Sequence, residues 1–493
     1  MSGTAEKKID TRFALPVFEK DFHAAAARSV ADERLRGATS DACIKKDEGR
    51  QMRLSTELRD AEALRDLAAR IKEHTIEHLP HYLELLAENV RRNGGVVHFA
   101  KTAADANATI VEIAKQNKCQ LIVKSKSMAS EETRLNDALE AAGLTPVETD
   151  LGELIVQLAQ DRPSHLVMPI MHMRAKQVGE VFAKFFGVPF TEDPPELAEI
   201  ARKYLREKFN QADMGISGCN FAIAETGSVV ICTNEGNGRM CTSRPRIHVA
   251  LMGMEKVIPR FADLAVFIKL LARAASGQAI TQYTNIISGP RRADEHDGPE
   301  QFHLVIFDNG RSGIRDSEYR DVLRCIRCGA CLNACPVFRT IGGHAYGSVY
   351  PGPIGSLLTP LFNGLHNHAH LPQASSLCGA CFDACPVKIN IPEMLIKMKR
   401  DMQALPRGGG GAKAGMPSFG EKVVFRLWTF ALGGRRRYAL AQWAQRRFLR
   451  HTVASKDGWI SDLPGPAKGW TAHRDFPVPA EKTFRDLWKE RRR

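Results

Sequence analysis

CIRCGACLNACP, residues 325–336, sets four cysteines at C-x2-C-x2-C-x3-C-P. That is the spacing of bacterial two-cluster ferredoxins: three close thiolates wrap one cubane, and the fourth, held off by its proline, reaches the other. SSLCGACFDACP, residues 375–386, repeats the run with Ser375 where the first thiolate would stand. Zinc knuckles also use C-x2-C pairs. Four cysteines in one run that ends in Cys-Pro, and then nearly recurs, favour iron–sulfur chemistry over zinc. The cross-over rule assigns Cys325, Cys328, Cys331 and Cys385 to one cluster, and Cys335, Cys378 and Cys381 to a second. The fourth position of the second stays open. Ser375 could ligate through oxygen, or another residue (Cys219, Cys232, Cys241 or His344) could fold in. A three-iron cluster would need no further ligand, and an open fourth iron would be a Lewis acid. A four-iron cluster with a non-standard or labile fourth position is the reading adopted. The plainer alternative is that serine only tunes potential or stability.

The roughly forty residues between the motifs exceed what a compact ferredoxin with paired runs needs. Helical-looking stretches flank them, SEYRDVLRCIRCG (317–329) and PEMLIKMKRDM (392–402). The arrangement resembles the α-helical ferredoxin of succinate dehydrogenase and heterodisulfide reductase iron–sulfur subunits, which passes single electrons between partners. The intervening GGHAYGSVYPGPIGSLLTP (342–360) is rich in Gly and Pro and reads as a loop.

A chain of 493 residues exceeds one ordinary core. The net charge of +13 is concentrated toward the C-terminus, which points to a docking surface, with no nucleic-acid signature. The first residues, MSGTAEKKIDTRFALPVFEKDF, lack an apolar core and mix acids with bases, so no secretory leader is expected. The most apolar candidate span, VVFRLWTFALGG (423–434), is short and broken by Arg426. A cytoplasmic location follows, where clustered cysteines are metal ligands and not disulfides.

Residues 1–55 read as a polar, helix-leaning arm. From Leu58 to Arg92 apolar residues recur at helical spacing, with Pro80 set to kink or split the run. Strands and helices then alternate: GGVVHFA, ADANATIVEIAKQN, CQLIVKS, SEETRLNDALEAAG (a serine-capped helix), SHLVMP as a strand, and RAKQVGEVFAKFFG. This predicts a largely parallel sheet covered by helices over 56–312. A charged helix near 195–212 and short strands in NFAIAETGSVVICTNEG, HVALMGMEKVI and FHLVIFDNG complete it. The cysteine module spans 313–402, a glycine-rich linker 403–420, and a basic segment with every tryptophan 421–493.

Within GISGCNFAIAETGSVVICTNEGNGR (215–239), a glycine turn from Gly215 to Gly218 could bring backbone N–H groups to an anion, with Thr226 beside it. Glu225 is a candidate nucleophile or base. An ordinary hairpin with a buried, hydrogen-bonded Glu is the plainer reading. Lys124 and Lys126 follow a strand at the carboxyl edge, where α/β folds bind ligands, and would suit a carboxylate. Solvated surface lysines are the alternative.

Three stretches, KSKSMASEETRLNDALEAAGLTPVETDLGELIVQL (124–158), PSHLVMPIMH (163–172) and SGCNFAIAETGSVVICTNEGN (217–237), together with the two cysteine motifs, resemble the lactate-utilisation protein B family across nearly the whole chain. The resemblance implies an α/β LUD domain of the NagB/RpiA/CoA-transferase-like fold, a helical twin [4Fe-4S] module and a mainly helical basic C-terminal segment. It also implies action with a cysteine-rich A subunit and a LUD-type C subunit in oxidising L-lactate to pyruvate. The seven-cysteine pattern belongs to that family, so Ser375 is a family feature. In this reading the chain is a non-catalytic electron-transfer subunit. The rival readings are a LUD domain catalytic on a carboxylate or acyl substrate, or the same relay serving glycolate or another 2-hydroxy acid. No G-x-G-x-x-G stands between a strand and a helix, so neither flavin nor NAD is expected here.

The tail, EKVVFRLWTFALGGRRRYALAQWAQRRFLRH (421–451), interleaves Trp428, Phe430, Trp443 and Phe448 with arginines. Partner docking ranks first, packing on its own domain second, and peripheral contact with the inner face of the membrane third.

Overall fold

Short apolar runs bounded by turn residues form ten strands in the larger of two units, Met1–Gly415. They are β1 (Val96–Ala100), β2 (Leu121–Lys124), β3 (Thr145–Glu148), β4 (Met214–Ser217), β5 (Phe221–Ile223), β6 (Ser228–Thr233), β7 (Ile247–Gly253), β8 (Val257–Ile258), β9 (Tyr283–Ile287) and β10 (Gln301–Phe307). The computed structural model describes residues 15–19, 21–404, 419–450, 458–471 and 474–492, so most of the expected glycine linker lies outside the described residues.

Six strands make an all-parallel sheet in the order β1-β10-β7-β4-β2-β3. Helices cover both faces, which is why β7 and β4 are buried at every residue instead of alternating. Val249, Leu251 and Val305 pack toward the helix Ala103–Gln116, while Ala250, Leu304 and Ile306 pack toward Leu79, Leu86 and Val90. A second sheet, β8-β5-β6-β9, is mixed, with β5 parallel to β8 and antiparallel to β6.

The helical run 58–92 divides at His78 into Ala61–Glu77 and Leu79–Arg92, with Pro80 in the first turn of the second helix, where its missing N–H costs nothing. Four expectations change. GGHAYGSVYPGPIGSLLTP is not a loop throughout, because Gly352–Asn363 is a buried helix with Pro353 in its first turn, where a missing N–H is no loss. The single helix over SEETRLNDALEAAG is two, Met128–Thr133 and Leu135–Ala141, separated by Arg134 at φ 52° and capped by Ser127. GISG is not a turn: Gly215, Ile216 and Ser217 belong to β4, one of the two central strands, and Gly218 follows its end. SHLVMP is not a strand, because the His165 Nδ1 accepts the Val167 and Met168 N–H groups at 3.0 and 3.1 Å and so takes donors a ladder would use. The strand in that region is β3, at the sheet edge, where Pro146 can sit without breaking a ladder bond.

The helix Glu33–Glu57 packs on Phe261–Ser276 and on the two short helices of the first cysteine motif, Ala330–Ala334 and Pro336–Ile341. The cysteine module's core, including Leu323, Leu332, Phe338 and Leu357, is continuous with Phe221, Ile258 and Phe267 of the α/β domain. The second unit, Met416–Arg493, holds helices Phe419–Leu432, Arg435–Phe448 and Phe484–Arg491 and a two-stranded ribbon of Trp459–Ile460 with Phe476–Pro477. No helix among the described residues is long and apolar enough to cross a membrane.

Candidate iron–sulfur centre

The two motifs fold alike. Arg327 and Gly329 flank Cys328 at φ 60° and 75°, and Leu377 and Gly379 flank Cys378 at 53° and 89°. Left-handed residues on both sides of the second cysteine turn the chain sharply around the space its thiol faces. The Cys325 Sγ accepts the Arg327 N–H at 3.4 Å, and the Ser375 Oγ accepts the Leu377 N–H at 3.2 Å. Ser375 thus occupies the structural counterpart of Cys325, with the same bond two residues on. In the closing Cys-Pro units, the Cys335 Sγ accepts from Phe338 N and the Cys385 Sγ from Ile389 N, at 3.5 and 3.4 Å.

Cys325, Cys328, Cys331 and Cys385 line one enclosed space, walled by Leu166, Ile326, Ile354 and Val387. Cys335, Cys378 and Cys381 form a second group whose thiols act on one another electrostatically. Cys378 is exposed and every other cysteine of the two groups is at least partly covered. Burial, with neighbouring thiols adding, pushes Cys381 up to about 12, and burial pushes Cys385 to about 11. Burial of these thiols disfavours the thiolate, and a cation bound among them would offset that cost.

The surroundings of Cys325 fit such an anionic group. Lys72 is buried, donates to the Val257 carbonyl at 3.3 Å and to that of Glu255, and lies with Lys256 and Arg327 in the electrostatic reach of Cys325. Burial pulls Lys72 down to about 8, with Glu255 opposing. Arg327 stacks on the Tyr350 ring, 4.6 Å from its centroid. Its guanidinium reaches Glu255 at 3.3 Å. Arg311 then bonds Glu255 at 2.5 Å and grips Glu132 with two bonds of 2.8 Å. Asn309 and the Tyr350 hydroxyl complete Glu132 at 2.8 and 2.5 Å. Glu132, Glu255, Asn309 and Arg311 follow β2, β7 and β10, so this network joins the carboxyl edge of the parallel sheet to the cysteine module. His165 also reaches the module: a Cβ on Gly329 would lie 2.9 Å from its Cε1, and Asn333 is its neighbour there.

The α/β candidates separate. Lys124 ends β2 at the carboxyl edge as expected, but it is 1% exposed, not solvated, and bonds Glu148 at 2.6 Å and Asn136 at 2.5 Å. Burial alone would lower its pKa; Glu148, Glu131 and Glu153 reverse that and hold it above its ordinary value. Lys126 donates to the Val167 carbonyl. Gly215 lies inside β4, where a Cβ would stand 1.7 Å from the Cys241 carbonyl oxygen, and Gly218 lies against Ser127. Both admit close packing of backbone. Glu225 is exposed, not buried, and its carboxylate accepts the Phe261 N–H at 2.7 Å, anchoring the start of the helix Phe261–Ser276. Thr226 donates to Ser228 at 2.8 Å within the same hairpin.

Sequence reasoning missed several groups. Glu131 and Glu153 join Glu148 around Lys124; burial pushes Glu131 up to about 7, and burial with Glu148 and Glu131 drives Glu153 well above the carboxylate range. No spacing rule marks them, because their meeting depends on β2 and β3 pairing. Cys43 is fully buried on the helix Glu33–Glu57, with Arg339 and Cys335 among its electrostatic neighbours. Of the alternatives for a fourth ligand, the Cys219 Sγ donates to the Phe221 carbonyl, the Cys241 Sγ lies 3.3 Å from the Thr149 hydroxyl, Cys232 stands in β6, and His344 bonds the Arg162 carbonyl. In the second unit, Trp428, Phe430, Trp443 and Phe448 are exposed on the helices Phe419–Leu432 and Arg435–Phe448.

Three family models match the chain: the LUD domain over residues 83–307, the 4Fe-4S dicluster domain over 321–389, and the C-terminal region of lactate utilisation protein B over 398–493. Residues 321–389 therefore form an iron–sulfur module of the [4Fe-4S] type. Curated relatives named lactate utilization protein B extend along almost the full length. That of Bacillus licheniformis is 44% identical, covering 97% of this chain and 98% of the relative. That of Shouchella clausii is 44% identical over 97% and 99%, and that of Bacillus subtilis strain 168 is 43% identical over 97% and 98%.

Proposed function

The chain belongs to the lactate utilization protein B family, and from that premise we propose that it is the iron–sulfur electron-transfer subunit of a complex oxidising L-lactate to pyruvate. The observation that carries this reading is the division of seven cysteines into an enclosed group against the α/β domain and a second group that reaches the surface at Cys378. Cys325, Cys328, Cys331 and Cys385 would hold one cluster, and Cys335, Cys378 and Cys381 the other, with Ser375 at the sequence position of its fourth ligand. When bound, such clusters take up and release electrons one at a time, which suits a two-electron oxidation of a 2-hydroxy acid.

The chain's own residues supply the setting. Lys72, Lys256 and Arg327 offset negative charge at the inner group, and Leu166, Ile326 and Ile354 keep water from it. The exposed Cys378 gives a partner close approach to the outer group. A cysteine-rich A subunit and a LUD-type C subunit are the partners in this reading, with the exposed aromatics and arginines of the second unit as a docking surface. Glu225, Lys124, Gly215, Gly218 and Thr226 are given no catalytic or anion-binding part, since each already serves a bond or close contact within the fold.

Low-temperature EPR of anaerobically purified chain, before and after L-lactate, with and without the A and C proteins, tests this. A reduced-cluster signal that appears only with the partners is expected. Reduction of the isolated chain by lactate would overturn the non-catalytic assignment. In parallel, Cys325→Ser and Cys378→Ser should each change the spectrum of a different cluster. Identical spectra from the two variants would overturn the ligand division.

A further inference from the structure

We propose that Asp161, His172 and His344 form a binding site for a divalent transition-metal ion that ties the loop between the cysteine motifs to the α/β domain. One ligand atom from each lies within 4.8 Å of the others. They come from three segments: Asp161 follows the helix Leu151–Leu158, His172 closes PSHLVMPIMH, and His344 lies after the first cysteine motif. The His172 Nε2 stands 2.9 Å from the Asp161 Oδ2, and the His344 Nε2 stands 4.0 Å from the Asp161 Oδ1. The two imidazole centroids are 4.6 Å apart.

The proton positions follow from the bonds around them. Ser164 donates its hydroxyl to the Pro169 carbonyl at 2.9 Å, and a carbonyl cannot donate. The His172 Nδ1, 2.8 Å from that hydroxyl oxygen, is then the donor, and the neutral ring leaves Nε2 with a bare lone pair. That lone pair faces a carboxylate oxygen, an arrangement that is stable only with a positive centre between them. A proton on Nε2 would serve the His172–Asp161 pair and leave His344 outside it. A metal ion uses all three. The His344 Nε2, 4.0 Å from the Asp161 Oδ1, also lies 2.8 Å from the Arg162 carbonyl, and it must release that carbonyl to bind the ion.

Two imidazoles and a carboxylate suit zinc and its first-row neighbours. In such sites the second ring nitrogen of a ligating histidine is held by an oxygen, and for His172 the Ser164 hydroxyl takes that part. The approach of His344 is built into the chain. A Cβ on Gly343 would fall 1.8 Å from the Ser164 carbonyl oxygen, so only glycine lets the loop lie flat against the segment that carries His172. The bound ion would therefore cross-link the two parts of the large unit.

The test uses the full chain with its clusters loaded, purified anaerobically and titrated with Zn2+ by calorimetry while zinc, iron and sulfide are counted. Wild type should take up one equivalent of zinc beyond its iron. Asp161→Asn and His344→Gln should lose that equivalent with iron and sulfide unchanged. Ser164→Ala, which keeps all three ligands, should weaken binding about 10- to 100-fold. No stoichiometric uptake by wild type, or equal uptake by wild type and all three variants, would overturn the proposal.

Discussion

Replacing Arg311 with methionine removes the cation shared by Glu132 and Glu255, with its stacking over the Phe307 and Phe362 rings, while keeping an apolar stem of similar length. Both carboxylates are buried at 2% exposure or less. Glu255 would keep its bond to Arg327 at 3.3 Å and the weaker pull of Lys256, and Glu132 would keep its neutral donors Asn309 and Tyr350. Removing one partner of a buried pair costs about 3–5 kcal/mol, because the charge left behind has no water to return to. At roughly 2.1 cal/mol/K per residue, a cooperative unit of about 400 residues unfolds with an entropy near 0.8 kcal/mol/K, so the loss translates to a fall in Tm of about 5 °C. Scanning calorimetry of the cluster-loaded protein reads this directly. The exposed pair Arg202–Glu199 provides the contrast, and Arg202→Ala should leave the transition where it is. Adding Glu132→Gln to Arg311→Met should recover part of the loss by removing one orphaned charge. A single variant within about 1 °C of wild type, or a double variant less stable than the single, would refute the view that these charges hold the cysteine module to the sheet edge.

Gly215→Ala places a methyl group 1.7 Å from the Cys241 carbonyl oxygen, so the helix Asn237–Ser243 must move off β4. A loss of about 3 kcal/mol in urea unfolding is expected, with iron content retained, and unchanged stability would sink the close-packing account. Lys72→Met should lower the midpoint potential of one cluster and leave the other unmoved, by removing a buried cation near Cys325. Redox titration followed by EPR decides it, and a rise in either potential contradicts the charge argument. Glu131 has its folded-state pKa raised by burial to about 7, so its proton is held more tightly in the folded chain and stability falls as pH rises from about 4.5 to about 7. Glu131→Gln should flatten that part of a Tm-versus-pH curve, and an unaltered slope would mean that Glu131 ionises normally.

The cysteine motifs needed no fold to be read, because three ligands of a cluster lie within seven consecutive residues and their spacing is the site. The parallel α/β layer was also legible, since strands buried on both faces are written as nearly continuous apolar runs such as IHVALMG, interrupted there by His248 alone. Local pattern failed where a side chain or a neighbour supplied what a ladder normally does. His165 diverted two N–H groups and made SHLVMP a loop, an edge position let Pro146 stand in a strand, and the carbonyl of Cys241 required the glycine in β4. Only the tertiary structure decided which charges meet. Glu132, Glu255, Arg311 and Arg327 form one buried network, and Asp161, His172 and His344 one donor set. Such groups are separated by long stretches of chain, and their pairing is fixed by strand order and by the seating of the cysteine module on the carboxyl edge. No local periodicity encodes either.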